Sequence, residues 1–588
     1  THITLDCEVY KNYFLCQVKN SNHKLFTVEV FNDLLLSRKK DLLKLYSILN
    51  AGLIPVITYN GDGYDLKILE LFFKGGNCID LYNLSVRIIN TNDYIPPSKL
   101  NLISYDLSKI TAMVSLKTLA ARNNCQTIEE LPVPFDCIVN EDQRRQLFDY
   151  CIHDVDITME LYTAIEDNVQ VRLKVGAADG VRTGVYSDTK IARYIIEREL
   201  KNLGYRLPPK PLVTPLGTFN LAEFLDFKLK NAGDSTMCKA VDFLYKGTFN
   251  PVETVTKWGS PTTRYKRVKK LEIIKIGDCS IRLGDGGLHS NRKNLNLKAT
   301  DTFKILDIDV ASYYPNIFLN MQQDLIEGIP IKKVYSDILD KRIKAKQDDD
   351  FEFNKIFKIV LNSFYGLTGY EASPFYNPKV RSVVCAHGQI ILLDLMVTLS
   401  QFSTIQSANT DGITISYDVD NTKRIEKIIS KWEKRYNFDM DYTQIRELYA
   451  VDVTNYFLVT TENVLKRKGS FKLADLTKNF SFSVIQRAVE AYFLKGVDPD
   501  HFIRNHNVNM DFVKLHSSKK PTTSQGKDTG KVLRFYKSTL EGSINVIESG
   551  NRVPTSENAL IYTGNLHHID YDYYIMEAKK IILNLTIK

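Results

Sequence analysis

The spacing of apolar residues divides the chain into an alternating first part, a less regular middle and a third part in which strands and helices mix. Residues 3–18 (ITLDCEVYKNYFLCQV) carry β-branched and aromatic residues in two runs around Lys11-Asn12, which predicts a hairpin. Residues 54–59 read as a short buried strand ending in the turn-forming Asn60-Gly-Asp-Gly63, and residues 141–165 place apolar side chains at helical spacing. This alternation predicts an α/β domain over residues 1–165. The pattern weakens from 166 to 290, where Pro208-Pro209-Lys210-Pro211 is the expected linker. Residues 303–310 alternate apolar side chains with Lys304, Asp307 and Asp309, predicting a strand with both aspartates on one face. A helix is predicted over 351–366 and an apolar hairpin over 405–416, with Asn409-Thr-Asp-Gly412 at its tip. After about residue 470, helices mix with a polar segment, 517–530, expected to be a mobile loop.

With 588 residues the chain exceeds what one core supports, and roughly three to five domains are expected. Lys and Arg exceed Asp and Glu by 8 (77 against 69), a mildly basic balance that suits a polyanionic partner. Six bases and no acid lie between Lys257 and Lys270, read either as a solvated strand pair or as a DNA-facing one. The 9 cysteines are scattered without a C-x-x-C pair, so neither a zinc knuckle nor a disulfide framework is indicated. The most apolar stretch, 390–399, is interrupted by Asp394 and is shorter than a bilayer span, and the N-terminus shows no basic-then-apolar leader. The expectation is a soluble cytoplasmic protein with no membrane partner.

Two constellations carry chemistry. In the first, Asp309 ends a strand and Asp411 sits at a hairpin tip, so the pair can hold two divalent ions, with the Val310 carbonyl as a further oxygen ligand. Between them, Lys358, Asn362 and Tyr365 fall at i, i+4 and i+7 on one helix face, and Arg342 and Lys346 repeat the i, i+4 relation upstream. These cations suit a triphosphate. In the second, Asp6 and Glu8 point to one face of the first strand, Asp65 closes the turn after the buried strand 54–59, and Tyr150 and Asp154 lie one turn apart on a helix. Four such carboxylates can bind two metal ions and activate a water for phosphodiester hydrolysis. Any of these acids alone is an ordinary strand-end or turn acid. Asp62, Asp80, Asp156 and Asp307 are read as such, with Asp307 as a structural acid behind Asp309.

These ordered motifs resemble those of family B DNA polymerases, in particular the compact replicative enzymes of phages and linear plasmids. Asp309 and Tyr314 match the family's Asp-x-x-Ser-Leu-Tyr-Pro, with Tyr313 in place of the leucine, and Lys358, Asn362, Ser363, Tyr365 and Gly366 match its Lys-x-x-x-Asn-Ser-x-Tyr-Gly. The resemblance implies that Tyr314 excludes a ribose 2′-hydroxyl and that Arg342, Lys346, Lys358, Asn362, Tyr314 and Tyr365 bind the nucleotide. Asp6, Glu8, Asp65 and Asp154 match the metal ligands of a proofreading 3′–5′ exonuclease, Tyr150 its water-orienting tyrosine, and Asn60 and Tyr64 its contacts to frayed DNA. Gly286 and Gly287, in Gly284-Asp-Gly-Gly-Leu-His-Ser290, resemble the family's glycine-rich loop, where backbone amides approach phosphates and Arg292 and Lys293 add charge. Two departures stand out. The family's Asp-Thr-Asp-Ser reads Asn409-Thr-Asp-Gly412, and its Lys-x-Tyr reads Thr454-Asn-Tyr456, for which Lys468 supplies a nearby cation.

The resemblance implies α/β and α+β domains: an RNase H-like exonuclease at 1–165, a linker region with a basic DNA-facing segment at 166–290, palm at 291–320 and 370–469, fingers at 321–369 and thumb at 470–588. The aromatic runs 533–536 and 571–575 are expected to be mostly core. The interval from Asp309 to Lys358 leaves room only for short fingers, so extension of an RNA or DNA primer is favoured over protein priming. The implied activity is template-directed DNA synthesis with proofreading, in phage genome replication. Two Mg2+ ions per active site are implied, with Mn2+ as a substitute. The implied partners are primer-template DNA, single-stranded DNA, dNTPs and a processivity factor, helicase or single-strand-binding protein. The rival readings are a nuclease-dominant or primer-independent polymerase, and a weakly active DNA-binding scaffold, for which Asn409 is the hint.

Overall fold

The computed structural model describes all residues except 1, 91–94, 112–113, 126–127, 208–216, 221–232, 246–247, 256–260, 268–271, 285, 322–324, 371–372 and 588. The expected linker 208–211, Asp285 and, from the basic run, Lys257, Lys269 and Lys270 lie outside the described residues. The described chain forms two compact units: Thr1–Ser187 with Leu473–Val484 and Arg504–Tyr574, and Asp188–Lys472 with Ile485–Ile503 and Ile575–Lys588.

The first unit opens on β1 (Ile3–Tyr10), β2 (Tyr13–Asn20), β3 (Leu25–Phe31) and β4 (Leu34–Leu35), followed by α1 (Lys39–Ala51), β5 (Pro55–Thr58), α2 (Asp65–Phe73), α3 (Cys78–Asn90), β6 (Ile103–Asp106) and α4 (Leu116–Arg122). The sheet order is β4-β3-β2-β1-β5-β6. Its first four strands are antiparallel, and β5 and β6 join parallel to β1, the RNase H-like arrangement that the motifs imply. The alternating apolar residues of β1 and β2 bury Leu5, Val9, Phe14 and Val18 against α1 and α2 residues such as Leu45, Leu49 and Leu69. α5 (Glu141–Ala177) opens on a capping box, in which Asn140 and Gln143 each bond the other's backbone N–H. This helix continues well beyond residue 165, because apolar residues persist at Val169, Val171 and Val175 and no Gly or Pro comes before Gly176, in its last turn.

The second unit begins with α6 (Asp188–Asn202), and its described elements continue with β7 (Phe219–Asn220), α7 (Ser235–Tyr245), β8 (Thr248–Val255) and β9 (Pro261–Arg267), where β7, β8 and β9 form a small antiparallel sheet. Then follow β10 (Glu272–Ile276), β11 (Cys279–Leu283), β12 (Leu288–Ser290), β13 (Leu295–Lys298) and β14 (Phe303–Val310). Four helices come next: α8 (Tyr313–Asn320), α9 (Ile331–Gln347), α10 (Phe351–Leu367) and α11 (Pro378–Leu399). β15 (Thr404–Asn409), β16 (Gly412–Asp418), α12 (Thr422–Tyr436), β17 (Met440–Asp452), β18 (Asn455–Thr460) and β19 (Leu465–Lys468) complete a large antiparallel sheet of order β10-β11-β12-β15-β16-β14-β17-β18-β19, with β13 on β17. β14, at its centre, carries Asp309. α10 packs against α9 and α6.

α11 differs from expectation. It is 22 residues long, enough by length and composition to cross a membrane, yet 94% of its apolar window is buried inside the protein. Its interrupting acid, Asp394, is buried and accepts a hydrogen bond from the Tyr436 hydroxyl at 2.9 Å, which satisfies the polar group within the core.

Beyond α13 (Val484–Lys495) and α14 (Pro499–Arg504), the chain re-enters the first unit with β20 (Lys514–Ser524), β21 (Lys527–Lys537), β22 (Ile544–Val546) and β23 (Ala559–Ile561), and it ends in α15 (Tyr571–Thr586). The segment 517–530, expected to be a mobile loop, is the paired tip of the β20–β21 hairpin. Its polar residues hide the strand signal, because cross-strand pairing rather than an apolar face holds it. The aromatic runs are core as expected, with Phe535, Tyr536 and Tyr574 almost fully buried.

Candidate active sites

In the first unit, the two-residue alternation of β1 aims Asp6 and Glu8 at the same face, and α5 brings Asp154 to them. One carboxylate oxygen from each of the three lies within 4.8 Å of the others. Burial pushes Asp6 and Glu8 well above the ordinary carboxylate range, and their acidic neighbours push them further. Asp154 is raised chiefly by burial, opposed by its hydrogen bond with Tyr150 and by Lys117. Three crowded carboxylates of this kind match the hard oxygen donors that a divalent cation needs.

Asp65 is the first residue of α2, 3% exposed, and accepts the Cys7 amide at 3.1 Å. It stands outside the close trio but adds like charge to it. Burial raises its own pKa to about 7. Asn60 takes a left-handed backbone (φ 64°) in a turn tied to β6, because Asp106 accepts the Asn60 and Asp62 amides at 2.8 and 3.2 Å. The Tyr64 hydroxyl shares a 2.7 Å hydrogen bond with Ser85. Asp62, Asp80 and Asp156 behave as ordinary acids: Asp62 pairs with Lys109, Asp80 accepts the Asn77 amide, and Asp156 pairs with Lys19.

Two residues at this site carry no sequence signal. Lys117, on α4, has its ammonium 5.5 Å from the Tyr150 ring centroid and opposes the raised pKa of both Glu8 and Asp154. Asp106 builds the Asn60 turn. Each is a lone residue in its stretch of chain.

In the second unit, Asp309 faces Gly412 across β14–β16 and Asp441 across β14–β17. The Val310 amide donates to the Asp411 carbonyl at 2.9 Å, and Thr410, left-handed at φ 57°, turns the hairpin so that Asp411 follows at its tip. Both acids open to solvent, but the protein crowding their inner side raises them. Asp309 reaches about 6, with Asp307 and Asp411 adding like charge and Lys468 opposing. Asp411 is raised as well, again opposed by Lys468. Asp307 accepts a 2.7 Å bond from the Thr414 hydroxyl, as a structural acid would.

Asp411 borders a cavity of about 260 Å³ lined also by Val310, Tyr314, Arg342, Lys358, Asn362 and Tyr365. Ser312 is left-handed (φ 51°), and just after Asp309 the chain passes into α8, which delivers Tyr314 to this cavity. The Tyr314 and Tyr365 rings stack at 5.1 Å. Tyr313 donates to the Gly388 carbonyl at 2.5 Å, and a Cβ at Gly388 would stand 3.1 Å from the Tyr313 ring, so the glycine lets both tyrosines pack on α11. Arg342 donates to Ser312 at 2.6 Å. Lys346 does not join the cavity lining. It pairs with Asp441 at 3.4 Å, an acid that the motif reading passed over.

The glycine-rich loop is fastened through its carbonyls. Gly286 accepts from Tyr314 at 2.9 Å and from the Cys385 thiol at 3.4 Å, and Gly284 accepts from Gln389 at 2.5 Å. Gly287 approaches Thr410 closely enough that a Cβ there would stand 3.0 Å from its hydroxyl. Arg292 donates to the Ile405 carbonyl at 2.9 Å, a neutral partner that leaves its positive charge in place. Tyr456 and Lys468 pair across β18–β19 with the ammonium 5.7 Å from the ring centroid, so the expected substitute cation does stand beside the tyrosine.

No protein-family model matches the chain. It is 24% identical over 500 residues to DNA polymerase 1 of Saccharolobus solfataricus, a match covering 79% of this chain and 51% of that protein, so the chain spans about half the length of this relative. The solved family B DNA polymerase of Pyrobaculum calidifontis aligns with 99% of this chain and 77% of its own, at a TM-score of 0.44 and 12% identity. The Saccharolobus protein is a DNA polymerase by name, the class of enzyme whose motifs this chain resembles.

Proposed function

We infer that this chain, a relative of family B DNA polymerases, is a template-directed DNA-dependent DNA polymerase with a 3′–5′ editing exonuclease. One observation carries the polymerase reading: a single cavity combines a carboxylate (Asp411, with Asp309 beside it), stacked tyrosines and the cations Arg342 and Lys358. The primer 3′-oxygen forms a bond to the α-phosphorus of a dNTP, the bond to the β-phosphate oxygen breaks, pyrophosphate leaves and the hydroxyl proton is released. Two Mg2+ ions, or Mn2+, held by Asp309, Asp411 and the Val310 carbonyl would supply charge stabilisation at the attacking and leaving oxygens.

The chain's own side chains do the rest. Arg342 and Lys358 offset triphosphate charge, and Lys346 can join them on leaving Asp441. Tyr314, backed by Tyr365, closes the sugar side, Asn362 presents its amide to the nucleotide, and Tyr456 with Lys468 holds the primer end. In the first unit, Asp6, Glu8, Asp154 and Asp65 are the proposed exonuclease ligands. Tyr150 orients the attacking water, and Asn60 and Tyr64 take the frayed strand. The domain limits of exonuclease, palm, fingers and thumb are proposed as the motifs imply them, as are replication of a phage-type genome and a separate processivity factor.

A primed circular template with one dNTP omitted tests both activities together. Extension to the omitted base followed by continued turnover of dNTP to dNMP is the expected result. No extension with Mg2+ or Mn2+ would overturn the polymerase reading, and extension without dNMP release would overturn the editing one.

A further inference from the structure

The C-terminal β20–β21 hairpin lies some 400 residues from Lys117 in sequence, yet it frames the helix that carries this lysine. Ser517 shares a 2.9 Å hydrogen bond with Thr118, next to Lys117, at the start of α4. At the other end, Arg534 donates to the carbonyls of Ala121 and Cys125 at 2.8 and 2.6 Å, while Ala121 packs with Leu515 and Val532. These contacts hold the backbone of α4 and leave the long Lys117 side chain to be fixed by something else.

Glu130 does that. One of its oxygens pairs with the Lys117 ammonium at 2.9 Å, and the other accepts the Lys531 amide of β21 at 3.0 Å. The neighbouring Gly530 is left-handed (φ 75°), and a Cβ there would stand 2.2 Å from that same Glu130 oxygen and 2.4 Å from its Cγ. The hairpin backbone is therefore in direct contact with the carboxylate that holds the lysine facing Tyr150, Glu8 and Asp154. A lysine loses much rotamer freedom when held in one place, and a two-sided carboxylate supplies the restraint.

We propose that Glu130 is a positioning residue of the editing site, held by Gly530 and the Lys531 amide of the C-terminal hairpin and acting on the frayed DNA strand through Lys117. The inference rests on the editing reading given above. It makes the far C-terminal segment a working part of excision, with no role for Glu130 in extension.

The test is a double-mutant cycle in the full chain, combining Glu130→Gln and Gly530→Ala each with Lys117→Met. Two readouts are needed: excision of a single-stranded oligonucleotide with Mg2+, and binding of the same labelled oligonucleotide by fluorescence anisotropy in EDTA. Glu130→Gln and Gly530→Ala are each expected to change both readouts roughly three- to tenfold, and these changes are expected to vanish in the Lys117→Met background. Glu130→Asp should recover part of the loss, and primer extension should stay at the wild-type rate. Equal effects of Glu130→Gln with and without Lys117 would overturn the proposal, since a merely structural acid or a general repulsion of DNA is additive. So would a Glu130→Gln variant that matches wild type in both readouts. If the wild-type chain itself excises nothing, the editing reading has failed, and a Glu130–Lys117 coupling in metal-free binding would still support the positioning role.

Discussion

The two units solve one electrostatic problem in different ways. Each gathers carboxylates and sets a lysine against them: Lys117 opposes Glu8 and Asp154 in the first unit, and Lys468 opposes Asp307, Asp309 and Asp411 in the second. In the first unit, three acids converge within 4.8 Å and Asp65 is sealed behind them. In the second, Asp309 and Asp411 open to solvent beside a cavity, and Asp309 rises only to about 6. On the proposed reading, the first site needs to take only one strand end whereas the second has to admit a triphosphate and a base pair, and the more open setting of Asp309 and Asp411 suits that demand.

Separating the two sites should give the largest effects. Asp309→Ala or Asp411→Ala is expected to lower primer extension at least about 10³-fold while leaving excision of single strands intact, and Asp6→Ala with Glu8→Ala should do the reverse. Rates of extension and excision on the same labelled primer measure both. A loss of both activities from either pair would mean that the units do not carry separate chemistry.

Next in size is the opposing lysine of the second unit. Lys468→Met removes the cation that holds Asp307, Asp309 and Asp411 down, so all three should bind protons more readily. The acidic limb of extension should then move to higher pH, and the rate near neutrality should fall by roughly ten- to a hundredfold. Excision should keep its pH profile, because the editing acids face Lys117 instead. A pH–rate profile of single-nucleotide insertion checks this, and an unmoved acidic limb would remove Lys468 from the site.

How much of this was legible in the chain depended on whether neighbours in space were neighbours in sequence. Asp309, Asp411, Asp6, Glu8 and the Tyr150–Asp154 pair announce themselves because each sits in a local pattern whose strand or helix geometry fixes its direction. Lys117, Glu130, Asp106 and Asp441 do not, since each acts through a partner from a distant segment. Lys346 shows the limit of helical spacing. It shares a face with Arg342, but Asp441 draws its ammonium to β17, away from the cavity. The polar β20–β21 hairpin read as a loop because its pairing is paid for by backbone bonds and contacts with α4, neither of which leaves a period in the sequence.

Metal removal should expose the difference in burial. Asp65 has a pKa of about 7 in the folded protein against an ordinary 3.8, so between those values the folded, metal-free state binds more protons than the unfolded chain. Its stability should therefore fall as pH rises from about 4 to about 7, with Asp309 adding a smaller slope that ends near its own value of about 6. Thermal unfolding in EDTA between pH 5 and 8 measures this. Mg2+ should flatten the dependence, and Asp65→Asn should remove only the share that Asp65 adds, because Asp6, Glu8 and Asp154 are raised as well and contribute slopes of the same sign.

The smallest expected effect concerns the amide at Asn409. Its side chain accepts the Thr410 hydroxyl at 3.2 Å, and its backbone pairs with Gly412 and His289, so the hairpin tip is held by contacts that an aspartate would keep. Asn409→Asp would add one negative charge beside Asp411 without changing the turn. More ligand charge favours a divalent cation, so the Mg2+ concentration for half-maximal extension should fall about two- to fivefold. The extra like charge also raises Asp411 further, and the acidic limb of extension should move up in the same variant. Extension measured against Mg2+ at pH 8 and again at pH 6.5 separates the two: a gain at the higher pH that shrinks at the lower one is the expected pattern. An unchanged Mg2+ dependence at both would mean that residue 409 lies outside the electrostatic reach of the bound ions, and that the open site depends on Asp309 and Asp411 alone.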